Sequence, residues 1–287
     1  MIVKATGISD VGLKREGNED AFSTDDSLGL YIVADGMGGH LAGEVASQVS
    51  VELINKTFQK WIAEEATADE IYGKPDNTLS LLGNYLLGSI RLANRVVFEM
   101  ALEQKQHHGM GTTVAIVLVT PTLIISANVG DSRIYLTRDG EMEALSKDHS
   151  LVAEQVELGM MTEEEAELSP MKHILTRNLG SGEDVVPDIF EIEPANDDRF
   201  ILCSDGLTDL VSDDEIFEMV LGEDNPEDLC RKLVDTVLDR GAHDNTTIIT
   251  IFISDMEKRR DGPIKIVGML IVDLVTGIQK AIKKIIP

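Results

Sequence analysis

The chain has 287 residues and a net charge of −26 at neutral pH, from 51 Asp and Glu against 25 Lys and Arg, which excludes nucleic-acid binding by the bulk of the protein. A hydrophobic fraction of 43% with 4% aromatics excludes a disordered chain and implies a largely aliphatic core. Two cysteines, Cys203 and Cys230, exclude a disulfide scaffold and a Cys-rich zinc site, and they fit a reducing, cytoplasmic setting.

Residues 1–10 lack a basic stretch leading into a long apolar run and do not read as a signal peptide. In chain order, strands are predicted over 3–9 and 29–34, followed by long helices over 42–64 and 79–106. The segment 109–130 is 22 residues without a charge, long enough on paper to cross a bilayer. It is rich in Thr, Val and Ile and is interrupted by Thr120-Pro121-Thr122, so it reads as strands over 112–119 and 123–129. A strand over 132–137 follows, and the short connections imply that the strands from 112 to 137 are antiparallel neighbours. A helix over 151–157, a strand over 200–204, helices over 213–221 and 226–239, and a strand over 246–253 complete the body. The alternation predicts an α+β domain with helices on the outer faces of antiparallel sheets.

Residues 258–287 hold seven Lys and Arg against Asp261 and Asp273, a net of +5, so the body carries −31. Asp261-Gly262-Pro263 is a turn signal at the junction, which divides the chain into an acidic body, 1–257, and a basic tail, 258–287. In the tail, Ile264, Val267, Leu270, Ile271, Leu274, Val275 and Ile278 share one helical arc, with Lys265, Asp273 and Lys280 opposite. This predicts an amphipathic helix and not a bilayer span. Three fates are open to it: packing on the body, self-association, or lying on an anionic membrane surface at the inner face of the membrane.

The chemistry gathers at strand ends. Leu30–Gly36 and Phe200–Gly206 each run an apolar strand into Asp-Gly, at Asp35-Gly36 and Asp205-Gly206. Val129-Gly130-Asp131-Ser132 and His243-Asp244-Asn245 flank other strands. Four carboxylates at strand termini repel one another unless a cation sits between them. Oxygen-only ligands select hard ions, Mg²⁺ or Mn²⁺. The glycine-rich run from Asp35 to Gly43 lacks the Lys-Ser/Thr of a nucleotide-binding loop. Cys203 lies in an apolar strand and Cys230 in a helical pattern, so neither fits the phosphate loop of a cysteine phosphatase.

Arg15-x-x-Asn18-Glu19-Asp20, Val33-Ala-Asp35-Gly-Met-Gly-Gly-His40, Gly111-Thr-Thr113, Asn128-Val-Gly-Asp131-Ser-Arg133, Asp148-His149-Ser150, Leu175-Thr-Arg-Asn-Leu-Gly180, Ser204-Asp205-Gly-Leu-Thr-Asp209 and Asp244-Asn245 occur in this order. Over about residues 3–254 the series resembles the PPM family, the metal-dependent type 2C protein serine/threonine phosphatases, and its compact bacterial members in particular. The resemblance implies a four-layer sandwich, two central antiparallel sheets flanked by helix pairs, with a binuclear centre at one end. It implies that Asp35 bridges two Mn²⁺ or Mg²⁺ ions, that the Gly36 carbonyl completes one site, and that Asp205 and Asp244 hold the other. Glu19 and Asp20 match acids that act mostly through water, and Asp131 with Asp205 matches a third, weaker site. Arg15 matches the phosphate-binding arginine and His40 the general acid.

The implied reaction is hydrolysis of phosphoserine or phosphothreonine in proteins by a metal-bridging water attacking in line, reversing a Ser/Thr kinase. Such a centre acidifies water, Arg15 forks phosphate oxygens, and His40 titrates in the range needed to protonate a leaving alkoxide. The alternatives are a catalytically silent metal-binding regulator of the same fold and a phosphatase dedicated to one phosphoserine-bearing anti-sigma-factor antagonist. Residues 148–180 correspond to the variable flap beside the site. Its acid run at 163–167 reads as the first turn of a solvated helix.

Overall fold

Two-sided burial along the central strands decides the layering. The structure, a computed structural model, describes residues 1–38, 41–103 and 108–256. In β3 (Leu30–Met37), Leu30, Ile32 and Ala34 enter one apolar cluster while Tyr31 and Val33 enter another, and all five are buried. The same division holds in β5 (Val114–Val119), with Ile116 and Leu118 on one side and Ala115 and Val117 on the other. In β10 (Arg199–Cys203), Ile201 and Cys203 face away from Phe200 and Leu202. Strands buried on both faces need a layer on each side, which gives the order helix, sheet, sheet, helix.

One sheet runs β2 (Asp20–Asp25), β3, β5, β6 (Ile124–Val129), β9 (Asp188–Ile192), with the two-residue β4 (Gly111–Thr112) beside β3. The other runs β1 (Ile2–Asp10), β11 (Thr246–Ser254), β10, β7 (Arg133–Arg138), β8 (Glu141–Ala144). Every pairing is antiparallel among the described residues. Helices α1 (Leu41–Ala63) and α2 (Leu81–Glu103) cover the first sheet through Ile54, Phe58, Leu86 and Ile90. The flap between β8 and β9 carries α3 (Leu151–Glu157) and α4 (Glu163–Glu167), and the one-turn α5 (Asp205–Thr208) follows β10. Helices α6 (Asp213–Gly222) and α7 (Pro226–Asp239) cover the second sheet through Ile216, Val220, Leu229, Leu233 and Val237. The Ser212–Glu215 capping box starts α6, and Asn225 with Pro226 starts α7.

The α+β sandwich with flanking helix pairs is the architecture the motifs imply. The acid run of the flap is the first turn of α4, closed by a Thr162–Glu165 capping box. Two differences stand out. Strands β2, β8 and β9 were not predicted, because their acids and exposed positions blur any alternation. Strands β6 and β7 are not neighbours: β7 pairs with β10 and β8 in the other sheet. Gly130 has φ +106°, and there the chain leaves one sheet and enters the other instead of closing a hairpin. His40, the last residues of the predicted helix 79–106 and the tail helix lie outside the described residues.

Candidate metal centre and active site

The sheet crossover places one end of each sheet side by side, and the acids stand there. Asp20 and Asp35 are opposed across the β2–β3 pair. In the other sheet Cys203 pairs with Ile248, so Asp205 just after β10 and Asp244 just before β11 emerge at the same end. Asp131 sits in the crossover itself. A cavity of about 460 Å³ is lined there by Arg15, Asp35, Gly36, Asp131, Asp205 and Asp244, with Glu19 also at its wall.

Backbone geometry fixes these groups. The Asp35 carbonyl accepts from the Thr113 N–H at 2.9 Å and from Thr112 Oγ1 at 2.8 Å, and the Asp35 N–H donates to Thr113 Oγ1 at 3.0 Å. Thr113 Oγ1 is in turn 2.6 Å from Ser132 Oγ, beside Asp131. At Gly36 a Cβ would stand 2.5 Å from the Glu19 carbonyl oxygen and against the Gly43 carbonyl, so only glycine lets that backbone approach. Asn245 accepts from the Glu19 N–H at 2.8 Å and donates to the carbonyls of Val11 and Gly17, which pins the loop carrying Arg15. Arg15 Nη2 then donates to Asp244 Oδ2 at 2.6 Å. At the flap base, the Gly130 N–H donates to His149 Nδ1 at 3.1 Å, leaving the ring proton on Nε2 to face Asp188 at 3.2 Å. Ser150 caps α3.

Asp20 lies beneath the cavity and is 8% exposed. Its Oδ2 accepts from Ser204 Oγ at 2.8 Å, while Oδ1 is buried with no hydrogen-bond partner among the described residues. Burial, then the charges of Asp205 and Asp244, push the Asp20 carboxyl up to about 7 against hydrogen bonds from Thr247 and Ser204. Burial, then Asp205 and Asp148, push Asp131 to about 7 as well. Asp35 is raised well above the carboxylate range by burial and by Asp20, Asp205, Asp131 and Asp244. Carboxylates that raise one another over an orphaned buried oxygen form a donor set suited to hard divalent cations, which supply the positive charge the cluster lacks.

Of the residues singled out in the sequence, Arg15, Glu19, Asp35, Gly36, Asp131, Asp205 and Asp244 meet at this cavity, with Asp20 under it. His40 lies outside the described residues. Sequence reasoning gave no role to His173, Asp209 or His243, which line the same cavity. The spacing of Asp209 four residues after Asp205 was the available signal.

The Protein phosphatase 2C family profile matches residues 14–237. The serine/threonine phosphatase stp of Listeria innocua is 34% identical over 256 residues, 88% of this chain and 97% of that protein. The crystal structure of the Mycobacterium tuberculosis serine/threonine phosphatase PstP/Ppp superposes with a TM-score of 0.77 at 32% identity, covering 89% of this chain and 100% of that one. The catalytic domain of PstP in complex with two manganese ions gives 0.74 at 33% identity, covering 88% and 99%. Fold, motif order and carboxylate cluster agree with these likenesses, and the chain belongs to the protein phosphatase 2C family of serine/threonine phosphatases.

Proposed function

We propose that the chain hydrolyses phosphoserine and phosphothreonine esters in proteins by in-line attack of water on phosphorus, without a phospho-enzyme, and so reverses a cytosolic Ser/Thr kinase. The observation that carries this reading is the convergence of carboxylates from both sheets with one arginine around a single cavity. In this reading Asp35, the Gly36 carbonyl, Asp205 and Asp244 hold two Mn²⁺ or Mg²⁺ ions. Glu19 and Asp20 act through water, and Asp131 with Asp205 takes a third ion. Bound ions supply an acidified water and offset phosphate charge.

The chain's own groups do the rest. Arg15 is half-exposed at the rim, placed by Asn245 and Asp244, where its guanidinium can fork two phosphate oxygens. His40 is assigned the proton for the leaving alkoxide. A thiolate route is disfavoured: Cys203 and Cys230 are fully buried, and burial pushes both thiols up to about 12.

Residues 1–257 form the catalytic body in this reading. The tail 258–287 directs location or self-association, and its deletion leaves turnover of small phosphopeptides largely intact. No helix among the described residues is long and apolar enough to cross a membrane. The test of the reaction is turnover of a phosphothreonine peptide with added Mn²⁺. Activity that stops on chelation supports the reading. Activity that persists in chelator, or is lost to thiol alkylation alone, rejects it.

A further inference from the structure

Asp205 and Asp209 are the first residue and the C-cap of α5, and the Asp209 N–H donates to the Asp205 carbonyl at 2.8 Å. Four-residue spacing puts their carboxylates on one face of that turn. The flap lays His173 against this face, with Nδ1 3.6 Å from Asp205 Oδ2 and Nε2 3.9 Å from Asp209 Oδ2. From the loop before β11, His243 brings its Nε2 to 3.5 Å from the same Asp209 oxygen. Lys172 takes the other oxygen, Oδ1, at 2.9 Å, which leaves Oδ2 facing the two imidazoles. One ligating atom from each of His173, Asp205 and Asp209 lies within 4.8 Å of the other two.

These separations exceed those of good hydrogen bonds. They are slightly longer than the roughly 3.3 Å between donors around a tetrahedral ion with bonds of about 2.0–2.1 Å. The donors also differ in kind from those of the carboxylate centre. Imidazole nitrogen beside carboxylate suits borderline transition ions, whereas Mg²⁺ favours oxygen alone. Asp209 is largely buried and held by Lys172, so it is a fixed donor, while His173 and His243 are about half exposed and free to close by a small rotation.

We propose that His173 and Asp209, completed by His243 and the near oxygen of Asp205, form a separate site for a borderline divalent ion of the Zn²⁺ class. Occupied, it fastens the flap residue 173 to α5 and to the loop before β11, at the edge of the cavity. The site rests on the phosphatase reading only in sharing Asp205 with the carboxylate centre.

The test uses the full-length protein saturated with Mg²⁺ and titrated calorimetrically with Zn²⁺, alongside His173→Ala and Asp209→Asn. A zinc-binding event is expected in the parent protein that weakens by at least about tenfold in each variant. Amide exchange over residues 171–176 should slow with Zn²⁺ in the parent protein and not in His173→Ala. His173 is half exposed, so the alanine variant should keep the parent melting temperature. Identical isotherms in parent and His173→Ala overturn the proposal, because zinc entering the carboxylate centre would give that result. Absence of any zinc uptake overturns it too. Phosphothreonine turnover with Mn²⁺ and no zinc is read separately, so failure of this site and failure of the phosphatase reading are distinguishable.

Discussion

Asp20 and Asp35 stand opposite one another at the end of the β2–β3 pair, two acids in an antiparallel register where side chains on one face lie closest. Like charges at that spacing destabilise the folded chain unless a cation or protons intervene.

The first prediction is a pH dependence whose sign follows from those acids. Asp20 and Asp131 are raised to about 7 and Asp35 higher still, so between roughly pH 4 and 7 the ion-free folded state holds more protons than the unfolded state. Stability is therefore fullest below the ordinary carboxylate range and falls as pH rises through 7. Thermal melts in chelator should show the melting temperature dropping from pH 5 to 8. Added Mn²⁺ should reverse the trend, because the ion competes with protons for the same oxygens. A melting temperature in chelator that rises over this interval would contradict the assignment.

The carboxylates should not be equivalent in turnover. Asp35→Asn and Asp205→Asn are expected to lower kcat on a phosphothreonine peptide beyond the roughly 10–100-fold typical of residues that only support a ligand. Asp131→Asn should cost less at saturating Mn²⁺ and shift the Mn²⁺ concentration needed for activation. Full Mn²⁺ titrations of the three variants check this ordering.

Arg15 separates function from stability. Its pair with Asp244 is solvent-accessible, with the arginine side chain 53% exposed, so the pair contributes about 0–1 kcal/mol. Arg15→Ala should melt within a few degrees of the parent and yet show a raised KM for phosphopeptides, since phosphate grip is lost in ground and transition states alike. A large loss of stability with KM unchanged would reverse the assignment.

Ser204 behaves in the opposite way. Its hydroxyl donates to Asp20 Oδ2 at 2.8 Å and accepts from the Thr247 N–H at 2.9 Å, all within the buried floor of the cavity. Ser204→Ala strands both partners and should cost about 1–3 kcal/mol in urea denaturation. Ser204→Ala matching the parent midpoint would show that water replaces the hydroxyl.

Gly130 tests the crossover. Its φ of +106° is strained for any side chain, and a Cβ would stand 2.5 Å from Thr113 Cγ2. Gly130→Ala is expected to destabilise by about 1–3 kcal/mol and to lower kcat, because Thr113 clamps Asp35. Gly140→Ala, at φ +79° with nothing within 4 Å, should carry only the backbone part and leave kcat alone.

The central strands and the Asp-Gly ends were legible because β3, β5 and β10 are apolar on both faces and deliver their acids at a buried-to-open boundary. Strand β2, Asp-Ala-Phe-Ser-Thr-Asp, was not, since its polar positions find partners only in the folded sheet. The three residues 130–132 look like a hairpin turn, and only the positive φ at Gly130 sends the chain to the other sheet. In the site, the acids could be read one strand end at a time. His173 could not, because its placement depends on how the flap folds back over α5, a non-local contact with no local pattern behind it.

The crossover at Gly130 also sets how the protein comes apart. Asp20 and Asp35 belong to one sheet and Asp205 and Asp244 to the other, and the Asp20–Ser204 bond already joins points 184 residues apart along the chain. Ions held between these acids act as reversible rivets across two halves that otherwise meet through aliphatic packing alone at this end. They bind only when both halves are docked, so each one adds to stability by mass action. Stripping them loosens the seam before it loosens either sheet. In native-state hydrogen exchange the β2–β3–β5 ladder and the β10–β11 ladder then open as separate cooperative units, whereas in the metal-loaded protein they open together.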